Sequence, residues 1–349
     1  MNWILSIIAF IFILSVIVII HELGHLLTAK YFGVYCEEFA IGMGPTLYKR
    51  KGKETTFAIR ALPIGGFVSM AGEQGVECEN IPHERTINGI KAWQKIVVMA
   101  AGSFMNIMLA WALFIGVIMM QGRVSLPPEP VVANVVEGSP AAKAGFQAND
   151  RIVEVTSQSI TLEPKNFNEI SEHIQYYPVE TNFKVERNGE VKNLTLTPEY
   201  IKDENRYYLG INLSPNIKEI SFLESFQYGT QELVNGMKSI GTALSKLVQG
   251  IGLQNLSGPV GIFKITSDVA KTGFMSILSL IALLSLNIGI FNLLPLPVLD
   301  GGRIFITLIE KVSGRTLSGK AEGILMGAGV LFLIGIMVLA TWQDIVRLF

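Results

Sequence analysis

The chain has 349 residues, a formal net charge of −1, 50% hydrophobic residues and only 16% charged residues. With a mean hydropathy of +0.42, this composition indicates a polytopic membrane protein that carries one moderately polar portion. The near-neutral charge and the absence of a basic tract argue against a nucleic-acid partner. The two cysteines, Cys36 and Cys78, are too far apart for a CxxC metal or redox site and are predicted to be free thiols.

Four segments are apolar enough and long enough to span the hydrocarbon core of a membrane. They are Ile4–Ala29, Ile96–Met120, Phe274–Leu294 and Ile324–Ala340. The first lacks a cationic start and a small-residue cleavage pattern, so we expect a retained span and not a removable signal peptide. Basic residues near the span ends place the first and third connections in the cytoplasm by the positive-inside rule, and both chain ends outside it.

The first span contains the sequence His-Glu-Leu-Gly-His at positions 21–25. On a helix, His21 and His25 face the same way, which is the spacing that binds one Zn²⁺, and Glu22 between them is available as a general base. In a soluble helix, a surface cluster would be an equally good interpretation. Ionisable side chains inside a membrane cost several kcal/mol and usually carry a function, so a metal site is favoured here. It would lie roughly 8–14 Å below the cytoplasmic surface, at about 1.5 Å per residue.

Alternating, glycine-punctuated stretches between Glu37 and Met70 predict β-strands, with Lys49–Lys53 as their turn. Two interpretations stay open: a β element that dips into the cytoplasmic face of the membrane and lines a water-filled site, or an ordinary cytosolic hairpin. In the second span, the membrane-embedded Asn106 is predicted to pack helices together, with contact to the metal site as the alternative.

A proline-rich stretch at 127–130 begins a soluble domain, for which the sequence predicts strand, short helix, strand, helix and a hairpin with an Asn188-Gly189 turn. This order of elements resembles that of bacterial PDZ domains. So does the sequence at 135–152, which is Val-Val-Glu-Gly-Ser-Pro-Ala-Ala-Lys-Ala-Gly-Phe-Gln-Ala-Asn-Asp-Arg-Ile. Those domains commonly carry glycine where this chain has Asn149, which also tolerates left-handed backbone. PDZ domains bind peptides as an added strand. The sequence leaves open whether this one binds a peptide or only limits access.

An apolar stripe at helical spacing predicts a helix between Ile220 and Ile251 that lies against the other helices or the lipid headgroups, and not a fifth span. The stripe comprises Leu233, Met237, Ile240, Leu244, Leu247 and Ile251. The third span ends in Asn-Leu-Leu-Pro-Leu-Pro-Val-Leu-Asp-Gly-Gly at 292–302, where two prolines should break the helix and turn Asp300 inward. Its depth matches that of the two histidines, which favours this interpretation over a solvated aspartate.

Two histidines and one carboxylate, with water in the fourth position, form a known catalytic zinc arrangement. The metal would lower the pKa of that water, and Glu22 would take its proton and pass it to a leaving amine. The sequence therefore predicts peptide hydrolysis.

The two metal motifs in this order, the Gly-Pro-Val-Gly-Ile stretch at 258–262 and the PDZ-like domain resemble the bacterial site-2 proteases. These intramembrane zinc metalloproteases, similar to the regulator-of-sigma-E protease, act in regulated intramembrane proteolysis on substrates such as anti-sigma factors or signal-peptide remnants. The resemblance implies His21, His25 and Asp300 as zinc ligands, Glu22 as catalytic acid/base and Asn292 as a substrate contact. Some members carry two tandem PDZ domains, whereas this chain has space for one.

The resemblance also implies that the β element receives the substrate. The strand-like segments Thr55–Arg60 and Ile64–Met70 are expected to offer it a sheet edge. The fold predicted is a polytopic α-helical membrane protein of about four spans in the cell membrane, with the active site near the cytoplasmic face and the PDZ-like domain outside. The predicted parts are transmembrane helix 1 at 1–31, the β element and loop at 32–92, helix 2 at 93–121, the PDZ-like domain at 127–201, a surface helix and connector at 202–272, helix 3 at 273–302, a cytoplasmic loop at 303–320 and helix 4 at 321–345.

Two rival functions fit parts of the pattern. A metal transporter could also bury histidine and carboxylate side chains, but it would need an ionisable path that the second and fourth spans do not supply. A catalytically silent membrane scaffold that displays a PDZ domain would need neither Glu22 nor the metal. Zinc analysis together with cleavage of a model membrane helix separates all three.

Overall fold

The computed structural model describes residues 3–73, 76, 80–201, 206–249, 257–315 and 317–346. The chain divides into two compact units. Met1–Met120 and Phe222–Phe349 together form the first, called the helical unit, and Gln121–Ser221 forms the second, called the β-rich unit. The predictions for Cys78 and Ile251 fall outside the described residues, while Cys36 is a buried free thiol as predicted.

The α-helices are α1 Trp3–Tyr31, α2 Ala92–Gln121, α3 Pro140–Ala144, α4 Phe167–Tyr176, α5 Phe222–Val248, α6 Pro259–Thr272, α7 Phe274–Asn292, α8 Asp300–Ser313 and α9 Gly319–Val346. The strands are β1 Cys36–Lys51, β2 Thr56–Met70, β3 Arg123–Leu126, β4 Val132–Val135, β5 Arg151–Ser157, β6 Ile160–Leu162, β7 Thr181–Arg187, β8 Glu190–Leu196, β9 Glu199–Ile201, β10 Arg206–Tyr208, β11 Ile211–Leu213 and β12 Asn216–Glu219.

The helices α1, α2, α7 and α9 are long and apolar enough to cross a membrane. They contain the first, second and fourth predicted spans in full, and α7 ends two residues before the predicted Leu294. The prediction of four spans is confirmed for the described part of the chain. Helix α7 ends at Asn292, before both prolines of the following segment, because proline cannot continue the hydrogen-bond ladder of a helix.

Helix α5 packs against α2 and α7 through small residues. A Cβ on Gly229 would lie 2.8 Å from the Cα of Ile115, so only glycine permits this approach to α2. Gly236 faces the end of the Leu286 side chain on α7. The prediction that this helix lies against the other helices is confirmed. Within the predicted stripe, Leu233 and Ile240 are buried, whereas the side chain of Met237 is 42% exposed.

Strands β1 and β2 are bent and pair with each other more than once. Residues 56–59 lie between two parts of β1, pairing with 38–41 on one side and with 48–51 on the other. Residues 66–70 pair with 36–41 on one side, and no described strand pairs with them on the other side. This second half of β2 is therefore an edge of the sheet, whereas the expected edge at Thr55–Arg60 is wrong because that segment is central.

The turn between β1 and β2 comes later than predicted. Pairing continues as far as Lys51 opposite Thr56, so the first part of the predicted turn belongs to the strand. The chain reverses at 52–55, where the Gly52 N–H donates to the Thr55 carbonyl at 2.9 Å. An apolar core that includes Leu26 of α1 and Val98 of α2 packs this sheet against the two helices.

In the β-rich unit, β6, β5, β7 and β8 form an antiparallel sheet in that order. The predicted hairpin turn is present, with φ of 54° at Asn188 and 81° at Gly189. Ser139 caps α3 by accepting a hydrogen bond from the Ala142 N–H, as its sequence position indicated. Asn149 has a φ of 68°, which is the left-handed conformation expected there.

His173 of α4 titrates inside the β-rich unit. Its Nε2 lies 3.0 Å from the buried hydroxyl of Ser157, and burial lowers its pKa below the ordinary value. The folded unit then binds fewer protons than the unfolded chain, so this contribution to stability is present above about pH 6.5 and is lost as pH falls through the lower folded pKa.

We therefore expect the rate of backbone hydrogen exchange in residues 121–201 to increase as the pH is lowered from 7.5 to 5. The rates are first corrected for the intrinsic pH dependence of exchange. The His173→Gln variant should show a smaller change over this range. An equal change in both proteins would contradict the role of His173.

Candidate metal centre

Three side chains from two distant helices meet in the helical unit. His21 and His25 lie one turn apart on α1, with their Nε2 atoms separated by 3.2 Å. Asp300, the first residue of α8, places its Oδ2 at 3.1 Å from the Nε2 of His21 and 3.4 Å from that of His25. Among the described residues this is the group that could hold a metal ion.

The separations fit a tetrahedral zinc site. Zinc–ligand bonds of about 2.0–2.2 Å in tetrahedral geometry place ligand atoms about 3.3–3.6 Å apart, close to the distances observed. The Oδ2 of Asp300 is buried and accepts no hydrogen bond, which leaves its electron pair available to a cation. The nitrogen and oxygen donors are also those that zinc prefers.

Hydrogen bonds at the Nδ1 atoms orient both imidazole rings. The Nδ1 of His25 donates to the Val98 carbonyl at 2.8 Å, which leaves the electron pair of its Nε2 free for a metal. The Nδ1 of His21 lies 3.3 Å from the side-chain amide of Asn106, which is fully buried. The amide oxygen of Asn106 otherwise has no partner, so the orientation in which this oxygen accepts from Nδ1–H satisfies both groups.

Asn106 therefore contacts the site, which is the second of the two roles that its sequence position left open. Gly102, one turn before it on α2, makes the contact possible, since a Cβ there would lie 2.8 Å from the Nε2 of His21. The small residues of this span looked like ordinary helix packing, because periodicity on α2 alone cannot reveal which helix it meets.

Glycine also shapes the segment that delivers Asp300. Gly301 and Gly302 lie so close to the backbone of the preceding loop that a Cβ on Gly302 would be 2.7 Å from the Cα of Pro297. The chain turns back on itself here, and the side chain of Asp300 is only 16% exposed. The inward orientation expected from the two prolines is what the structure has, and the solvated alternative is wrong.

A cavity of about 520 Å³ opens beside His21, His25 and Asp300. Glu22 and Asn292 both line it, and the Asn292 Nδ2 lies 3.4 Å from the Nε2 of His21. Residues 66–70 of the β2 edge, together with Glu73 and Arg303, line the same cavity. Neither Glu73 nor Arg303 stood out in the sequence, because their meeting depends on tertiary structure.

The contact between Asn106 and His21 makes a prediction about metal affinity. Replacing Asn106 by leucine removes the partner of Nδ1, and we expect zinc affinity to fall by about 10–100-fold, the usual cost of losing such a second-sphere hydrogen bond. Competition with a chelator measures this on the purified protein. The control is Ser103→Ala, since the Ser103 hydroxyl is buried without a partner. Equal zinc affinity in the wild type and Asn106→Leu would contradict the role.

Comparison with known proteins agrees with this centre. The sequence model of peptidase family M50 matches residues 9–336. The chain is 32% identical to the regulator of sigma-W protease RasP of Bacillus subtilis, covering 99% of both chains. It is 33% identical to the zinc metalloprotease RasP of Bacillus licheniformis, again covering 99% of both chains. The chain therefore belongs to peptidase family M50, the site-2 proteases, and is a membrane zinc metalloprotease.

Proposed function

We propose that this protease hydrolyses a peptide bond within or near a transmembrane segment of a membrane-protein substrate. His21, His25 and Asp300 hold the zinc ion, and Glu22 moves the protons. The observation that carries the proposal is the group of three ligand atoms within 3.4 Å of one another, beside a cavity that Glu22 also lines.

The chemistry divides between the metal and one carboxylate. Bound zinc supplies a Lewis acid that lowers the pKa of water and polarises a carbonyl group. Glu22 accepts a proton from the attacking water at a carboxylate oxygen and then donates it to the nitrogen of the leaving amine. A carbon–oxygen bond forms and the carbon–nitrogen bond breaks, so the enzyme ends each cycle unchanged.

A substrate helix must be unwound before this reaction. Its carbonyl groups are already hydrogen-bonded, and each group exposed in hydrocarbon costs several kcal/mol. The β2 edge at 66–70 lines the cavity and can accept an unwound segment as an added strand. The side-chain amide of Asn292 can both donate to and accept from a substrate backbone beside it.

This mode of binding predicts that Asn292→Leu and Val68→Pro each lower turnover by roughly tenfold, since each removes a hydrogen bond worth about 1–3 kcal/mol in a desolvated site. Zinc content should not change. A central Gly-Pro pair in the substrate span should partly restore turnover, because it lowers the cost of unwinding in advance. Matched substrates with and without that pair provide the measurement. A loss by the same factor on every substrate would show that these residues do not capture backbone.

We further propose that residues 127–201 of the β-rich unit form an extracytoplasmic PDZ-like domain, and that the zinc site lies near the cytoplasmic face. Its strand order, its capped α3 and the conformation of Asn149 support the resemblance. The relative named as a regulator of sigma-W protease supports substrates such as anti-sigma factors in regulated intramembrane proteolysis.

The test of the function is zinc analysis of the purified protein and cleavage of a single-span substrate, with loss of cleavage on chelation and recovery with zinc. Zinc bound without cleavage of any membrane substrate would overturn the proposal.

A further inference from the structure

Glu73 closes one end of the β2 edge. Its backbone N–H donates to the Met70 carbonyl at 3.1 Å, and its carboxylate Oε2 accepts from the Met70 N–H at 3.1 Å. In an antiparallel ladder, both backbone groups of one residue pair with a single residue of the neighbouring strand. Glu73 thus occupies the place that a residue of an added strand would take.

The position that Glu73 occupies faces away from β1. The next residue, Ala71, donates its N–H to the Tyr35 carbonyl at 2.9 Å, on the β1 side. Backbone groups alternate in direction along a strand, so those of Met70 point to the opposite side, as do those of Val68 and Gly66. An incoming strand can therefore pair at Gly66 and Val68, and it stops at Met70.

Arg303 holds Glu73 in this position. Its guanidinium donates to the other carboxylate oxygen, Oε1, in an ion pair at the wall of the cavity. Arg303 lies three residues after Asp300 on α8, so it is adjacent to the metal ligand on one helix face. The pair therefore connects the end of the strand-binding edge to the helix that positions the metal.

We propose that Glu73 and Arg303 determine which peptide bond is cut. Glu73 blocks the edge position at Met70, and the ion pair with Arg303 keeps the Glu73 side chain in that position. The register of the substrate strand relative to Asp300 is fixed as a result. This inference rests on the proposed function, in which an unwound segment of the substrate span binds along 66–70. It assigns both residues to specificity and not to the chemical step.

Without the blocking carboxylate, the Met70 N–H becomes available, and the substrate strand can slide. A slide of one residue would turn its side chains to the other face, so a slide of two residues, about 6.6–6.8 Å, is the expected change. For Glu73→Ala, mass spectrometry of the products should reveal a second cut two residues from the wild-type bond, at least tenfold more frequent than in the wild type. Arg303→Leu should show the same second cut, and Arg303→Lys, which keeps the ion pair, should not.

The matched control is Glu54→Ala, which removes a carboxylate that pairs with Arg85 and does not line the cavity. It should leave the wild-type cut unchanged. An unchanged cut in Glu73→Ala would overturn the inference.

Binding is measured separately, so that an inactive variant still gives a result. In a Glu22→Gln protein lacking Cys36 and Cys78, Ser69→Cys is crosslinked to substrates that carry one cysteine at successive positions. Crosslinking that alternates along the substrate with a period of two residues, and whose strongest position moves by two residues in Glu73→Ala, supports the inference. A strongest position that does not move overturns the inference alone. Crosslinking without the two-residue period in either protein overturns strand addition itself, and the inference with it.

Discussion

Replacing Glu22 by glutamine is expected to reduce cleavage by about 10²–10⁴-fold, the usual contribution of a general acid–base group. Glutamine has nearly the same size but cannot accept a proton at neutral pH. Glu22 lines the cavity and does not belong to the group of three ligand atoms, so bound zinc should stay at the wild-type level. Cleavage of a single-span substrate and metal analysis on the same preparation measure both quantities.

The matched control for this substitution is Glu37→Gln, which changes a carboxylate that does not line the cavity. Its cleavage rate should equal that of the wild type. Full activity of Glu22→Gln would remove this residue from the mechanism, and loss of zinc together with activity would show that its carboxylate helps to hold the metal.

Replacing Asp300 by alanine is expected to lower zinc affinity by more than about 100-fold, which exceeds the usual cost of losing a second-sphere partner. The two histidines alone leave zinc without its third protein ligand. Activity should fall with occupancy and should partly return at high zinc concentration. Chelator competition gives the affinity directly.

Asp268→Ala is the control for Asp300, because Asp268 is an exposed aspartate that pairs with Lys271. Zinc affinity should not change in this variant. An unchanged affinity in Asp300→Ala would mean that the third ligand is another residue, even though the Asp300 oxygen lies 3.1 Å from the nearer histidine nitrogen.

The sequence anticipated the parts of the site that depend on local structure. The pairing of His21 and His25 follows from helical periodicity, and the inward orientation of Asp300 follows from two prolines at a predicted membrane depth. Of the two segments expected to offer a sheet edge, one is an edge and one is not. Residues 66–70 pair on one side, whereas 56–59 lies between two parts of β1, because pairing between β1 and β2 is non-local. A strand's own alternation does not say how many neighbours it has.

The ion pair between Glu73 and Arg303 could not be predicted from the sequence either. The two residues are 230 positions apart, and each is an ordinary charged residue by composition. Asn106 carried a weak signal, an amide inside a membrane span, but the helix that it faces is set by the glycines that let α1 and α2 approach.

The proposed metal centre combines residues that are far apart in the chain, and their separation sets the earliest time at which the centre can form during synthesis. Asp300 follows His21 by about 280 residues. At a synthesis rate of about 5–20 residues per second, roughly 14–56 s pass between the translation of these two residues. Throughout that interval the growing chain has two histidines and no third ligand. The proposed zinc site is therefore incomplete during this interval, and the protease cannot cleave a membrane helix before Asp300 has been translated.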